Sequence, residues 1–149
     1  MASDRPLESM ALLARLSRLV YRRADEALLG MRIKEYTSLI YLRDHGESSQ
    51  QLLAEAMHLD ANNCVLLLND LETQGFAERH RDPRDRRRHL VSITASGAVA
   101  MKHAERYLST VEDEVLAALT AEERATLHQL LARALEGDQA AAGKRVGRS

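Results

Sequence analysis

A short segment, residues 79–88, holds the side chains with the clearest capacity for chemistry. It contains six arginines against two aspartates, a local formal charge of +4 in a chain whose total is −1. The guanidinium group pairs with phosphate through a planar fork of N–H donors, and it favours the strongly negative potential of a narrow groove. The segment therefore indicates contact with nucleic acid. An ordinary solvated charged loop is the alternative that remains open.

Two strands must hold this cationic segment at the tip of a hairpin. Asp82-Pro83 breaks a helix and begins a turn. After the arginines, Leu90 to Thr94 alternate between the two faces with the period of two that is typical of a strand. Strands are predicted at roughly Ala77–Arg81 and His89–Ile93.

Helices are predicted on both sides of the hairpin from apolar residues spaced three and four apart. Gly30 and Gly75 are natural stops, and Asp60 has the N-cap position toward Asn63. Thr120 and Glu123 have the spacing of a capping box. The predicted helices cover about Leu7–Leu29, Ile33–Asp44, the residues after Ser48-Ser49, the residues from Asp60 to Thr73, Ala95 to about Leu119, and Ala121 to about Leu135.

Composition excludes several classes of protein. Apolar residues make up 45% of the chain, which is enough for a core. Aromatic residues make up only 3%, and there is no Trp. This argues against a single-strand binder that stacks bases on exposed rings. The single Cys64 rules out an intrachain disulfide. The charged start is unlike a secretory signal, and there is no long apolar run. We expect a cytoplasmic protein without membrane contact.

The order helix, helix, turn, helix, hairpin predicts a winged helix-turn-helix lobe over residues 31–94. The outer helices, in residues 1–30 and 95–137, carry more apolar surface than one subunit can readily hide, so we expect a two-fold helical dimerisation region. Residues 138–149 are expected to be a disordered tail. The predicted fold class is thus mainly α with a small β-hairpin wing. Such a dimer would place two recognition helices about 34 Å apart, which suits a palindromic operator in double-stranded DNA.

At this point the residues resemble the MarR (multiple-antibiotic-resistance regulator) family of winged helix-turn-helix transcription factors. The resemblance covers about Leu7 to Leu135. It rests on Leu71-Glu72, Gly75-Phe76, Asp82-Pro83-Arg84-Asp85-Arg86-Arg87, Thr94, Gly97 and Gln50-Gln51-Leu52-Leu53-Ala54-Glu55. It implies a homodimeric, triangular protein that represses transcription. It also implies release from DNA when a small phenolic or other carboxylate ligand binds between the dimerisation helices and the winged lobe.

The recognition helix departs from the family pattern because it contains no Arg or Lys. Asn62, Asn63 and Asn69 are its polar candidates, and Asn can bond bidentately to adenine while Leu or Val can touch a thymine methyl. We therefore expect modest, A·T-leaning readout, with affinity drawn largely from the wing. By resemblance, Asp85 braces the wing through an arginine, and Arg86 or Arg84 enters the minor groove. The expected DNA contacts are Ser49, Gln50, Asn62, Asn63, Val65, Leu66, Asn69, Arg79, Arg81, Arg84, Asp85, Arg86, Arg87 and Arg88.

An effector site is expected around Arg15, which borders the apolar stripe between Leu12 and Leu19. A cation at the edge of an apolar pocket can hold an aromatic carboxylate, with a fork for the anion and hydrocarbon walls for the ring. The expected ligand contacts are Arg15, Tyr36, Ser38 and Leu39. No cofactor is expected beyond this small aromatic acid.

Other triggers and partners stay open. Cys64 lies near the first turn of the recognition helix, where the helix dipole lowers the pKa of a thiol, so oxidation is one alternative. The six histidines show no close metal-ligand spacing, although a site assembled across helices is possible. Exposed Leu66 would suit a protein-binding module instead. No Ser, His and Asp set or pair of carboxylates suggests catalysis, so we expect no enzyme.

Overall fold

The protein is mainly helical with a small antiparallel sheet, which confirms the predicted fold class. The computed structural model describes residues 6–146, with side chains from residue 8 to residue 141. The elements are α1 (Pro6–Arg23), α2 (Glu26–Leu29), α3 (Ile33–His45), β1 (Ser48–Ser49), α4 (Gln50–Ala56), α5 (Ala61–Thr73), β2 (Ala77–Arg81), β3 (His89–Ile93), α6 (Ala95–Val115) and α7 (Ala121–Val146).

Capping side chains set the ends of the helix-turn-helix, α4 and α5. The Ser49 hydroxyl accepts a hydrogen bond from the Leu52 backbone N–H at 3.1 Å, and the Asp60 carboxylate accepts one from Asn63 at 2.7 Å. Each bond satisfies an amide that the first helical turn leaves unpaired. Gly75, with φ of 77°, follows α5 and turns the chain into the wing. The predicted starts of α4 and α5 are confirmed.

The sheet has three strands in the order β1-β3-β2, all antiparallel. The two wing strands lie where they were predicted, with Arg79 opposite Val91 and Arg81 opposite His89. Strand β1 was not predicted, because two residues are too short for an alternating pattern and only their pairing with β3 makes them a strand. Pairing on both sides makes β3 central and buries Val91.

One apolar core joins the wing to the helices. Its fully buried side chains come from α2 to α5 and from β3, namely Leu29, Leu39, Leu42, Leu53, Leu68, Leu71 and Val91. Since Leu68 and Leu71 turn one face of α5 inward, the opposite face of α5 is left at the surface.

The first predicted helix is interrupted, which corrects the expectation of one helix over Leu7–Leu29. Helix α1 ends at Arg23, and Asp25 then caps the short α2 by accepting from the Ala27 N–H at 2.8 Å. The Asp25 N–H donates to the Tyr107 hydroxyl on α6 at 2.9 Å, an interaction with a residue 82 positions away that local periodicity cannot reveal. Helix α6 likewise ends earlier than predicted, at Val115.

The last helix is longer than predicted. Its capping box is confirmed, since the Thr120 N–H donates to Glu123 at 2.9 Å and the Glu123 N–H donates to Thr120 at 3.2 Å. The expectation of a disordered tail over 138–149 is wrong for residues 138–146, which continue α7. Gly137 costs a helix only about 1 kcal/mol, and an alanine-rich extension of a helix that has already formed needs no new nucleation. Residues 147–149, and residues 1–5 of the predicted dimerisation region, lie outside the described residues.

None of the helices between residues 6 and 146 has the length and apolar character that crossing a membrane requires.

Candidate nucleic-acid interface

The wing tip, residues 82–88, is a tight turn built by its two aspartates. Asp82 accepts from the Arg84 N–H at 2.9 Å, and Asp85 accepts from the Arg87 N–H at 3.1 Å. Backbone bonds from Asp82 to Arg88 and from Arg88 to Asp85 close the loop. Asp85 was expected to brace the loop through an arginine, and it does so through the backbone amide of Arg87 rather than through a guanidinium.

Five arginines of the wing, here called the wing cations, project from this turn and from the strand ends. All five are exposed, and none of their guanidinium groups has an acidic partner within the described part of the chain. They are Arg81, Arg84, Arg86, Arg87 and Arg88. Unpaired, solvated guanidinium groups on one protruding loop can pair with the negative phosphates of a nucleic-acid backbone.

The exposed residues of α5 from Ala61 to Asn69 are neutral, and the exposed Asp70 that follows them pairs with Arg32. Asn62, Asn63 and Asn69 are exposed, and the side chain of Leu66 is 53% exposed although it is apolar. Val65 is half-buried. This is the face that a helix-turn-helix presents to the major groove.

Two of the three asparagines are already hydrogen-bonded within the protein. The Asn63 side-chain N–H donates to Asp60 at 2.9 Å, so this amide takes part in the cap of α5. The Asn69 side-chain carbonyl accepts from Arg79 at 2.6 Å. Asn62 makes no side-chain hydrogen bond to any described residue.

Arg79 differs from the wing cations because its guanidinium is bonded within the protein, and its expected contact with DNA stays a prediction. It lies on β2 with its side chain 21% exposed, and it reaches the recognition helix. Its Nε donates to Glu72 at 2.6 Å, while its Nη2 donates to Asn69 at 2.6 Å and to Glu72 at 3.2 Å. The hydrogen bond from Arg79 holds the pKa of Glu72 below its ordinary value. The guanidinium therefore joins the base of the wing to α5.

Ser49 and Gln50 have different positions from those expected of DNA contacts. Ser49 is buried and its hydroxyl caps α4, so its expected role at the DNA is corrected to a capping role. Gln50 is half-buried and lines a cavity of about 360 Å³ between α4 and the wing, across from Arg87 and Arg88. Both residues line this cavity, and Gln50 is the more exposed of the two.

Cys64 is a core residue rather than a reactive thiol. Its side chain is fully buried, and its Sγ lies 3.7 Å from the Gln50 carbonyl oxygen. Burial raises the pKa of the Cys64 thiol, with a smaller opposing effect from Arg79, which corrects the expectation that the helix dipole lowers it. Within the described residues, no three His, Cys, Asp or Glu side chains come together as a metal site.

A buried acidic group supports α5 from behind, and sequence reasoning missed it. Glu35 is 2% exposed and accepts from Arg32 Nε at 2.9 Å and from the Gln74 amide. Arg32 also donates to Asp70 on α5 at 2.7 Å. The three-residue spacing of Arg32 and Glu35 at a helix start was the available signal. This network fixes the C-terminal end of α5 against the start of α3.

A cleft of about 710 Å³ lies between α1, α3, α6 and α7. Tyr36 lines it, as expected of a ligand contact, together with Arg43 and Arg124. Arg43 bonds to Asp44 and Glu105, and Arg124 donates to Asp113 at 2.7 Å through Nη1. The Nε of Arg124 is buried and has no hydrogen-bond partner among the described residues.

The other expected ligand contacts do not join Tyr36 in this cleft. Arg15 lines a separate groove of about 440 Å³ along α1. Ser38 and Leu39 are fully buried, and the Ser38 hydroxyl donates to the Lys34 carbonyl at 2.7 Å. Of the expected set of four, Tyr36 is the residue that lines this cleft, and the arginines that line it are Arg43 and Arg124 rather than Arg15.

The comparisons with known proteins agree with this geometry. A model of the MarR family matches residues 29–88, the region from α2 to the wing. A putative transcriptional regulatory protein for the hcr operon of Thauera aromatica is 33% identical over 103 residues, which cover 69% of this chain and 62% of that protein. The HTH-type transcriptional repressor NicR of Pseudomonas putida is 29% identical over 105 residues, which cover 70% of this chain and 66% of that protein. The matches thus span slightly less than two thirds of these relatives.

A solved structure shows the same arrangement. The crystal structure of a mutant MarR from E. coli complexed with operator DNA superposes with a TM-score of 0.70 at 25% identity, covering 84% of this chain and 91% of that one. The relatives are transcriptional regulators rather than enzymes, which is the class that the sequence predicted. This chain belongs to the MarR family and has the winged helix-turn-helix DNA-binding fold of its transcriptional regulators.

Proposed function

We propose that this protein is a homodimeric transcriptional repressor that binds a palindromic duplex through α5 and the wing. The observation that supports this most directly is the group of five wing cations without acidic partners among the described residues, placed beside the exposed face of α5. In this proposal the wing cations contact phosphates and a minor groove, and α5 enters the adjacent major groove. The relative NicR is named as a repressor, which supports repression rather than activation of transcription.

The apolar surface of the outer helices supports a dimer. Large apolar side chains that one subunit leaves exposed are concentrated on α1 and α7: Met10, Leu12, Leu13, Leu130, Leu131 and Leu135. Exposed arginines lie along α1, whereas exposed acidic residues lie at the end of α6 and the start of α7. A two-fold axis that pairs α1 of one subunit with α6 and α7 of the other would bury the apolar side chains and match the opposite charges.

Mobility-shift titration at rising salt tests DNA binding. Duplexes are first selected from a random library, and log K is then measured against log salt. We expect a steep negative slope, because each neutralised phosphate releases counterions. Replacing both Arg84 and Arg86 with Ala should reduce the slope by about 4, since the dimer would lose four arginines that each neutralise one phosphate. A flat slope with no preferred duplex would instead identify a protein-binding module.

The trigger in this proposal is a small aromatic carboxylate that occupies the cleft between α1, α3, α6 and α7. Apolar walls and Tyr36 would hold the ring, and the unpartnered Nε of Arg124 would donate to the carboxylate. Because the cleft lies between the dimerisation helices and the winged lobe, its occupation would favour a dimer whose recognition helices have the wrong spacing for the operator. The ligand must bind that state better than the DNA-competent one.

Two matched arginine variants test the cleft. Benzoate and 4-hydroxybenzoate serve as probes in calorimetric titration and in operator-release assays. We expect Arg124→Gln to abolish the response while DNA affinity stays within about tenfold, or roughly 1.4 kcal/mol. Arg15→Gln, in the separate groove on α1, should respond like the unaltered protein. Loss of the response in the Arg15 variant alone would contradict the cleft assignment.

A further inference from the structure

We propose that Arg79 is a positioning residue that sets which bases Asn69 can read. By holding the Asn69 carbonyl, Arg79 turns the Asn69 amide into an outward donor, suited to the acceptors of guanine or to thymine O4 rather than to the bidentate contact with adenine. This inference rests on the proposed function, because it assumes that α5 enters a major groove.

The chemistry of arginine fixes the orientation of the Asn69 amide. Guanidinium has five N–H donors and no acceptor, so the atom that faces it at 2.6 Å must be the carbonyl Oδ1. Glu72 holds the same guanidinium through two contacts, at 2.6 and 3.2 Å. Because Glu72 holds this guanidinium, Arg79 could follow a rotation of the Asn69 side chain only by leaving Glu72 unpaired.

The orientation of an asparagine amide decides what it reads. Bidentate binding of adenine needs the carbonyl to accept from N6 while the amino group donates to N7. In Asn69 the carbonyl faces β2 and the amino group is directed away from Arg79. An amino group presented alone matches the acceptors of guanine, O6 and N7, or O4 of thymine. Adenine N7 also accepts, but the N6 amino group beside it is a donor that the Asn69 carbonyl, held by Arg79, no longer accepts from, so adenine is the poorer partner.

Asn62 and Leu66 share a face of α5 with Asn69. The spacings of four and three residues place the three side chains in one stripe along the helix. Asn62 is exposed and its amide makes no hydrogen bond to a described residue, so it can offer both the carbonyl and the amino group. Leu66 is apolar and 53% exposed between them. We therefore expect adenine opposite Asn62, a thymine methyl against Leu66, and guanine or thymine opposite Asn69.

Selection from a random duplex library, done with the full chain, tests the role of Arg79. The unaltered protein should select guanine or thymine at one position that Asn69→Ala loses. Arg79→Ala should lose the same preference or shift it to adenine, because the freed amide can rotate. In the Asn69→Ala background, Arg79→Ala should change the base preference no further, since both substitutions act on one contact.

Salt dependence separates positioning from direct contact. We expect Arg79→Ala to leave the salt slope unchanged, whereas Arg86→Ala on the wing tip should reduce it by about 2, one phosphate contact for each subunit of the dimer. Arg79→Lys is a conservative variant that keeps the charge but lacks the fork that holds Asn69 and Glu72 together. It should lose the base preference at the Asn69 position while remaining folded by circular dichroism, so the test stands even if Arg79→Ala fails to fold.

Two outcomes would overturn the inference. A salt slope reduced by about 2 in Arg79→Ala, with base preference unchanged, would make Arg79 a phosphate contact in each subunit. An Arg79→Lys variant with the original preference would also overturn it. Failure of the unaltered protein to select any duplex would remove the proposed function and this inference with it, whereas a selected duplex with unchanged preferences overturns this inference alone.

Discussion

Gly97 on α6 packs so closely against Phe76 that a Cβ built on it would lie 2.0 Å from the Phe76 carbonyl oxygen. The same carbonyl accepts a hydrogen bond from the Thr94 N–H at 3.0 Å, and Thr94 caps α6 by accepting from the Gly97 N–H at 3.0 Å. The start of α6 is thus locked to the turn between α5 and the wing. This packing connects the outer helices to the lobe that carries the recognition helix.

Gly97→Ala should therefore destabilise the protein. In a helix with free space around the glycine, Gly→Ala raises the free energy of unfolding by about 1 kcal/mol. A decrease at Gly97 would therefore indicate the close approach of the Phe76 backbone. We expect a decrease of about 1–3 kcal/mol in the free energy of unfolding, measured by urea denaturation. Gly137→Ala is the matched control, because nothing lies within 4 Å of its Cβ position. A stabilised Gly97→Ala variant would contradict the packing.

Glu35 should contribute strongly to stability despite being charged. Glu35→Ala removes the buried acceptor of the hydrogen bonds from Arg32 and Gln74, and hydrogen bonds to charged groups are worth about 1.5–3 kcal/mol. Thermal and urea unfolding should show a decrease in stability of that size. Glu105→Ala removes an exposed partner of Arg43 at 3.4 Å and should cost less than about 1 kcal/mol. If the two variants lose the same free energy of unfolding, Glu35 contributes no more to stability than an exposed ion pair does.

The Glu72–Arg79 pair should make stability depend on pH in acid. The pKa of Glu72 is lowered in the folded protein from an ordinary 4.5, chiefly by the hydrogen bond from Arg79. A carboxylate of this kind stabilises the fold above its unfolded pKa, and the contribution is lost as pH falls through the folded pKa. Glu72→Gln should be less stable than the unaltered protein at neutral pH. The difference should shrink below about pH 4.5, and a constant difference would contradict the pairing.

Cys64 should not sense oxidants. Its buried thiol, with a raised pKa, should react with iodoacetamide only as fast as the protein opens. Treatment with hydrogen peroxide should leave operator affinity unchanged, and Cys64→Ala should respond to benzoate like the unaltered protein. Rapid alkylation of the folded protein, or loss of DNA binding on oxidation that Cys64→Ala prevents, would establish the thiol trigger instead.

The exposed leucines of α7 should hold the dimer together. Leu130→Asp places a charge within the proposed two-fold interface and should shift the sedimentation coefficient toward that of a monomer. Leu66→Asp is a close control, since Leu66 is 53% exposed and Leu130 is 54% exposed. The Leu66 variant should remain dimeric and lose only DNA affinity. If the Leu130→Asp variant forms a dimer of unchanged stability, this face of α7 is not part of the dimer interface.

The wing and the helix-turn-helix could be predicted because their signals are local. Asp60 and Thr120 cap helices three residues ahead, Gly75 turns the chain, and Val91 and Ile93 lie in a strand whose period of two is visible in the sequence. These choices depend on backbone preferences and on amides a few residues away. The break after Arg23 and the pairing of β1 depend on Tyr107 and β3, which are distant in the chain.

The sequence by itself determined the fold class, the cationic wing and the cation-free recognition helix, because charge and periodicity are properties of the chain. Only the tertiary structure decided which groups each of several side chains of the same type contacts. Arg79 is held by Glu72 and Asn69, whereas Arg86, seven residues later, projects into solvent. Arg124 rather than Arg15 lies in the cleft with Tyr36. A guanidinium has the same composition everywhere, and what it can bind depends on which acceptors the fold has already placed within its reach.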